Sequence, residues 1–185
     1  MMKLRPIRAC GIMLTLLLLQ WLVGAPSAEA QPVSETQVKA AYLFSFAKFV
    51  KWPAETLPAT TGPIRLCILN DVSFQVQLDL IVRNKSIDGH PILVILVQNA
   101  EQSRSCQELF ISSAAKQNPR PIIESLRGTT VLTVGETEGF VEEGGIINFI
   151  LQDDRVHFQV NQKAANQAGI KMSSQLLSLA RLVIK

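Results

Sequence analysis

Two histidines, two cysteines of the body of the chain and two short runs of acids are the residues whose types could do chemistry here. His90 or His157 could ligate a metal or shuttle a proton, Cys67 could act as a nucleophile, and Glu142-Glu143 or Asp153-Asp154 could serve as an acid/base pair. Each role meets a local objection. His90 stands in a turn beside Pro91, and His157 falls on the wet side of an edge-type strand, so both read as surface histidines. Cys67 is embedded in the apolar run Ile64–Leu69, an environment that raises a thiol pKa and suppresses nucleophilicity. The adjacent acids occupy turns, where solvation explains them without a catalytic dyad. The chain has no G-x-S-x-G elbow, no H-E-x-x-H and no C-x-x-C. The turn after the first strand, Asn70-Asp71-Val72-Ser73, lacks the glycines of a dinucleotide or phosphate loop. No catalytic residue, metal ligand or cofactor site is expected.

Two groups of residues survive as candidates for binding. The first comprises polar residues at the carboxyl ends of successive predicted strands: Asn70 and Asp71, Gln98 and Asn99, Ser112 and Ser113, then Gly135 and Glu136. Open α/β sheets bind ligands in the crevice outside those ends, so Asn70, Asp71, Asn99, Ser112 and Glu136 are the expected contacts of a small molecule; ordinary loop polarity is the competing reading. The second lies in Thr36–Pro53, TQVKAAYLFSFAKFVKWP. At roughly 100° per residue, Tyr42, Leu43, Phe46, Phe49 and Val50 share a core-facing stripe, while Phe44 points the opposite way, in line with Lys48 and Lys51. An aromatic in line with two cations on a solvated face is a candidate partner-binding surface, although single exposed apolar residues are common.

The elements that must position these groups alternate. The aromatic helix should stop at Pro53, with Trp52 near its last turn. Thr56–Pro63 reads as a loop, Ile64–Leu69 as a strand and Phe74–Val82 as a helix. Ile92–Val97, ILVILV, is apolar on every side, as in a parallel strand covered on both faces. Leu109–Ile111 is a short strand, Pro121–Leu126 a short helix and Thr129–Val134 a further strand. Ile146–Leu151 and Arg155–Val160 are divided by Gln152-Asp153-Asp154, short enough for a hairpin. Lys163–Ala168 is a helix closed by Gly169. Ser173-Ser174 can cap a last helix with Leu176, Leu177, Ala180, Val183 and Ile184 as its apolar stripe. The expected fold is a three-layer α/β/α sandwich with a mixed, mainly parallel sheet, a C-terminal β-hairpin and a helix.

Met1–Ala30 reads as a cleaved signal peptide: Lys3, Arg5 and Arg8 precede an apolar core at Ile12–Val23, and Ala28-Glu29-Ala30 offers a small-x-small cleavage site. Gln20, Gly24 and Pro26 interrupt the apolar run, which falls short of the about 20 residues a spanning helix needs. Cleavage after Ala30 would leave residues 31–185 as one soluble exported domain, with no insertion in the membrane. Of the 18 basic and 15 acidic residues, three and one lie in that segment, leaving 15 against 14. Such a near-neutral chain gives no reason to expect nucleic acid. Cys67 and Cys106 remain in it, and an even count in an exported chain favours a bridge, two buried thiols being the alternative.

Four stretches, AAYLFSFAKFVKWP (Ala40–Pro53), TVLTVGETEGF (Thr130–Phe140), GGIINF (Gly144–Phe149) and AGIKMSSQLLSLAR (Ala168–Arg181), together resemble the YfiR family of bacterial periplasmic proteins. The resemblance runs through nearly all of the mature chain in the same order. It implies a non-enzymatic α/β regulator whose partner is the periplasmic sensor domain of an inner-membrane diguanylate cyclase, held inactive by binding; a homodimer is a further association to expect. It also implies that Cys67 and Cys106 form a fold-stabilising disulfide. A second cysteine pair of the family, near Phe140–Phe149, is absent here, which removes any redox control that depends on it. The alternative function is a periplasmic small-molecule-binding module serving a sensor kinase or transporter.

Overall fold

The computed structural model describes residues 34–57 and 62–185, so the expected signal peptide, its cleavage site and residues 58–61 of the loop lie outside the described residues. Helix α1, Glu35–Phe49, starts at a capping box in which the Ser34 hydroxyl accepts from the Gln37 N–H and the Gln37 side chain accepts from the Ser34 N–H. It ends four residues before Pro53. Val50 turns to extended backbone because Val50–Lys51 form strand β1, paired antiparallel with β9, Lys171–Met172. Trp52 is therefore outside the helix, buried, with its indole N–H donating to the Gln107 carbonyl at 3.1 Å.

Along the rest of the chain run β2 (Ile64–Leu69), α2 (Val72–Val82), β3 (Ser86–Ile87), β4 (His90–Val97), α3 (Ala100–Ser103), β5 (Glu108–Ile111), α4 (Pro119–Ser125) and β6 (Leu132–Gly135). They are followed by β7 (Ile147–Gln152), β8 (Arg155–Asn161), α5 (Gln162–Gln167), α6 (Ser174–Leu179) and β10 (Leu182–Ile184). The eight-stranded sheet has the order β10-β8-β7-β6-β5-β2-β4-β3. Its centre is parallel, and the antiparallel pairs are the β7–β8 hairpin and the short β3–β4 pair at one edge. In the hairpin turn Asp153 and Asp154 both take positive φ, 51° and 55°, the pair of left-handed conformations that a two-residue turn matched to strand twist requires.

Because side chains alternate along a strand, the sheet carries an apolar cluster on each face. Leu66 and Ile68 of β2 join Phe46 of α1 and Phe74 and Leu78 of α2 on one side; Cys67 and Leu69 join Ile122 and Ile123 of α4 on the other. The first cluster is aromatic at its centre. The Phe46 ring lies 5.0 Å from Phe158 and 5.5 Å from Phe149, and Tyr42 stacks on it at 5.7 Å. The expected α1 stripe thus faces the core, with Leu43 and Phe46 buried and Tyr42 and Phe49 half-buried. In the second cluster Phe140 is wedged between Gly135 and Gly145, at both of which a Cβ would overlap its ring. That close approach explains why the turn between β6 and β7 is built from glycines.

Three expectations are corrected. Ile92–Val97 lies next to the sheet edge, flanked on its outer side only by the two residues of β3; only Val97 is buried and Leu93 is 46% exposed. An apolar run specifies burial only where neighbouring elements cover it, and here the second face has short helices. The last helix stops at Leu179, since Val183 and Ile184 belong to β10, which pairs in parallel with β8. His157 consequently sits on an internal strand between β7 and β10, half-exposed, with its Nε2 3.2 Å from the Arg181 guanidinium. His90 heads β4, and its Nδ1 lies 2.9 Å from the Gly62 carbonyl oxygen.

Candidate functional site

The carboxyl ends of β2, β5 and β6 do gather the polar residues that their positions suggested. Asn70 adopts a left-handed φ of 49°, which turns the chain directly from β2 into α2. Asp71 then caps α2: its carboxylate accepts from the Phe74 N–H at 3.0 Å, the Ser73 hydroxyl at 2.8 Å and the Ser112 hydroxyl at 2.8 Å. Burial alone would raise this carboxyl's pKa, but the three donors outweigh it and hold the group below the usual carboxylate range. On the next strand end Glu136 accepts from the Ser113 N–H at 2.7 Å and the Ser113 hydroxyl at 2.8 Å.

Lys39, reaching over from α1, donates to Glu136 at 2.6 Å and pairs with Glu35 one turn earlier on its own helix. The side chains of Lys39 and Glu136 are only 14% and 10% exposed. Burial pushes the Glu136 carboxyl up, yet Lys39 and Ser113 together bring it below its ordinary value. Burial likewise lowers Lys39, and its two carboxylates reverse that, leaving the ammonium above its ordinary value. The pair is therefore ionised through the neutral range and clasps the start of α1 to the sheet. The i,i+4 spacing of Glu35 and Lys39 was visible in the sequence. Glu136 is 97 positions away, and nothing local marked it as the second partner.

Asn99 stands apart from this group. Its side chain caps α3, accepting from the Gln102 N–H at 3.0 Å, while the Asn70 amide donates to the Gln98 carbonyl at 3.0 Å. The expected ligand contacts thus use their polar atoms on one another and on helix ends, so this crest works as a structural clasp. Among the described residues no three His, Cys, Asp or Glu side chains are grouped to hold a metal.

The second candidate group is divided by the end of α1. Lys48 is exposed on the last turn of the helix, and Lys51 is exposed on β1. Phe44 is half-buried against the core cluster, and the Lys85 ammonium lies 4.6 Å from its ring centroid. Its ring is a packed cation–π partner, not a free aromatic on a solvated face. The members of the group that remain exposed are the two lysines.

Cys67 and Cys106 form a disulfide with a Cα–Cα distance of 6.1 Å. It links the middle of β2 to the turn before β5, two strands that are neighbours in the sheet, and both cysteines are buried. Among the described residues no helix is long and apolar enough to cross a membrane.

A family model described as DUF4154, YfiR/HmsC-like, matches residues 36–181. Among solved structures the chain is similar to a conserved domain protein from Vibrio cholerae O1 biovar eltor, with 12% identity and a TM-score of 0.53 over 81% of this chain and 60% of that one. It is also similar to the ABC domain from Streptococcus pneumonia in complex with L-Trp, with 12% identity and a TM-score of 0.49, covering 80% of this chain and 60% of that one. The chain thus spans about 60% of the length of these two proteins, and at such identity the Vibrio likeness concerns the α/β fold alone.

Proposed function

The chain belongs to the YfiR/HmsC-like family, and from that membership we propose that it is an exported, non-enzymatic regulator that binds and represses the periplasmic sensor domain of an inner-membrane signalling protein, a diguanylate cyclase. The match over residues 36–181 carries this reading. The signal-peptide pattern of Met1–Ala30 supports it. In this reading residues 31–185 are the mature regulator and the disulfide is a staple of its fold.

The surface assigned to the partner is the cationic face around Lys48 and Lys51, with Phe44 fixing α1 beneath it. The test is capture of the partner from solubilised membranes on the immobilised mature chain; a membrane protein with an exported sensor domain and a GGDEF output domain is expected. The purified pair then reads the surface. Lys48→Glu combined with Lys51→Glu should slow association by about tenfold at low salt, with the difference shrinking as salt is added and the melting temperature unchanged. An unchanged association rate would place the docking surface elsewhere on the molecule.

A further inference from the structure

We propose that the cavity between α4 and α5, at the end of the sheet where β6 and β7 begin, is a binding site for a small amphipathic anion. Its volume is about 510 Å³, within the range of pockets that hold small organic ligands.

Two features select the ligand class. The wall is apolar where Leu126, Val131 and Ala164 line it, whereas Arg127 and Lys163 supply charge of one sign and no carboxylate lines the cavity. Among the described residues the ion-paired cations are Lys39, Arg83 and Arg120, and no carboxylate of those residues pairs with Arg127 or Lys163. Two unneutralised cations on one concave surface focus a positive potential into it. A guanidinium fork and an ammonium lining one cavity suit the oxygens of a carboxylate or a phosphate, and the apolar wall takes the body of such a molecule.

The frame of the site is fixed before any ligand arrives. The Asn161 amide donates to the Val141 carbonyl at 2.7 Å and accepts from the Ala164 N–H at 2.8 Å, and the Thr133 hydroxyl accepts from the Ile146 N–H at 3.1 Å. These lining groups are used in holding the backbone. The Arg127 and Lys163 heads remain for the ligand, on a rigid floor that costs little ordering entropy on binding.

The test titrates the mature chain with 1-naphthylacetate, 1-naphthyl phosphate and the neutral 1-naphthylacetamide, followed by amide NMR shifts and naphthyl fluorescence. At least one anion should bind saturably, shifting the amides of Arg127, Thr129, Lys163 and Gln167, with the neutral amide weaker by about tenfold or more. The order of carboxylate and phosphate identifies the head group. Arg127→Met with Lys163→Met, which keeps the apolar stems, should remove that preference while leaving the melting temperature unchanged. Equal affinity for the neutral amide, shifts centred on other residues, indifference to the double substitution, or no saturation at millimolar probe would each overturn the site.

Discussion

Replacing both bridged cysteines, Cys67→Ala with Cys106→Ala, is expected to lower the melting temperature by about 8–16 °C and to leave affinity per folded molecule nearly intact. The bridge closes a loop of 39 residues. In the chain-entropy model a loop of that size is worth about 4 kcal/mol, against a total stability of roughly 5–15 kcal/mol for a typical domain. The fold offers no substitute for it. α3 and α4 on that face are short, four and seven residues, and the bridge joins β2 to the approach to β5 beneath them. Repression would then be lost through abundance, because neither sulfur is exposed to a partner. The double variant is the one to use, since a single replacement leaves a reactive thiol. A variant that melts like the parent would refute the staple. One that stays folded but no longer binds would make the cysteines part of a switch.

The second large effect has the opposite sign: Glu108→Leu should stabilise the protein by about 2–4 kcal/mol near neutral pH. Glu108 is 1% exposed, and among the described residues neither carboxyl oxygen has a hydrogen-bond partner. In register it lies between Leu66 of β2 and Leu132 of β6, on the face that carries the aromatic cluster. Burial in that setting drives its pKa well above the ordinary 4.5, so the folded protein holds the proton that the unfolded chain releases. More protons bound in the native state means that stability falls as pH rises above about 4.5, by at most about 1.4 kcal/mol per pH unit, until the folded pKa is reached. Asp71 and Glu136 act in reverse. Their lowered values give stability that is present above their unfolded pKa and lost as pH falls through the folded one. The parent should therefore be most stable in mildly acidic buffer, and Glu108→Leu should move that optimum toward neutrality. Chemical denaturation at a series of pH values checks this. A leucine variant that melts lower, with the pH slope unchanged, would contradict an unpartnered acid at this position.

Much of the architecture was legible because local chemistry and global burial agree. Ile64–Leu69 forms β2 with the expected bounds, Ser173 caps the helix that follows it, and the Asp153-Asp154 turn makes the hairpin without glycine; Asp71, read as a ligand contact, is instead the cap of α2. The failures arise where one pattern admits two partners. Leu182–Ile184 satisfies a helical stripe as well as a strand, and the strand prevails because β8 offers a free edge, with the Arg181 N–H bonded to the Phe158 carbonyl. Likewise Ile92–Val97 has the composition of a central strand but occupies a flank. Of the candidate site, the strand-end positions were readable and their use was not. Whether Glu136 faces solvent, a ligand or Lys39 depends on a contact that α1 makes across the whole chain. Phe44 shows the same limit, since helical angles place it away from the core and Lys85 then covers it.

The central claim is repression of a membrane cyclase by this chain, and cellular cyclic di-GMP measured with the chain deleted and then restored tests it most directly. The account predicts a rise on deletion, a fall to the parental level when the exported form is restored, and no response to either change once the captured membrane partner is also removed. An unchanged level on deletion, or a rise that persists without the partner, would contradict it.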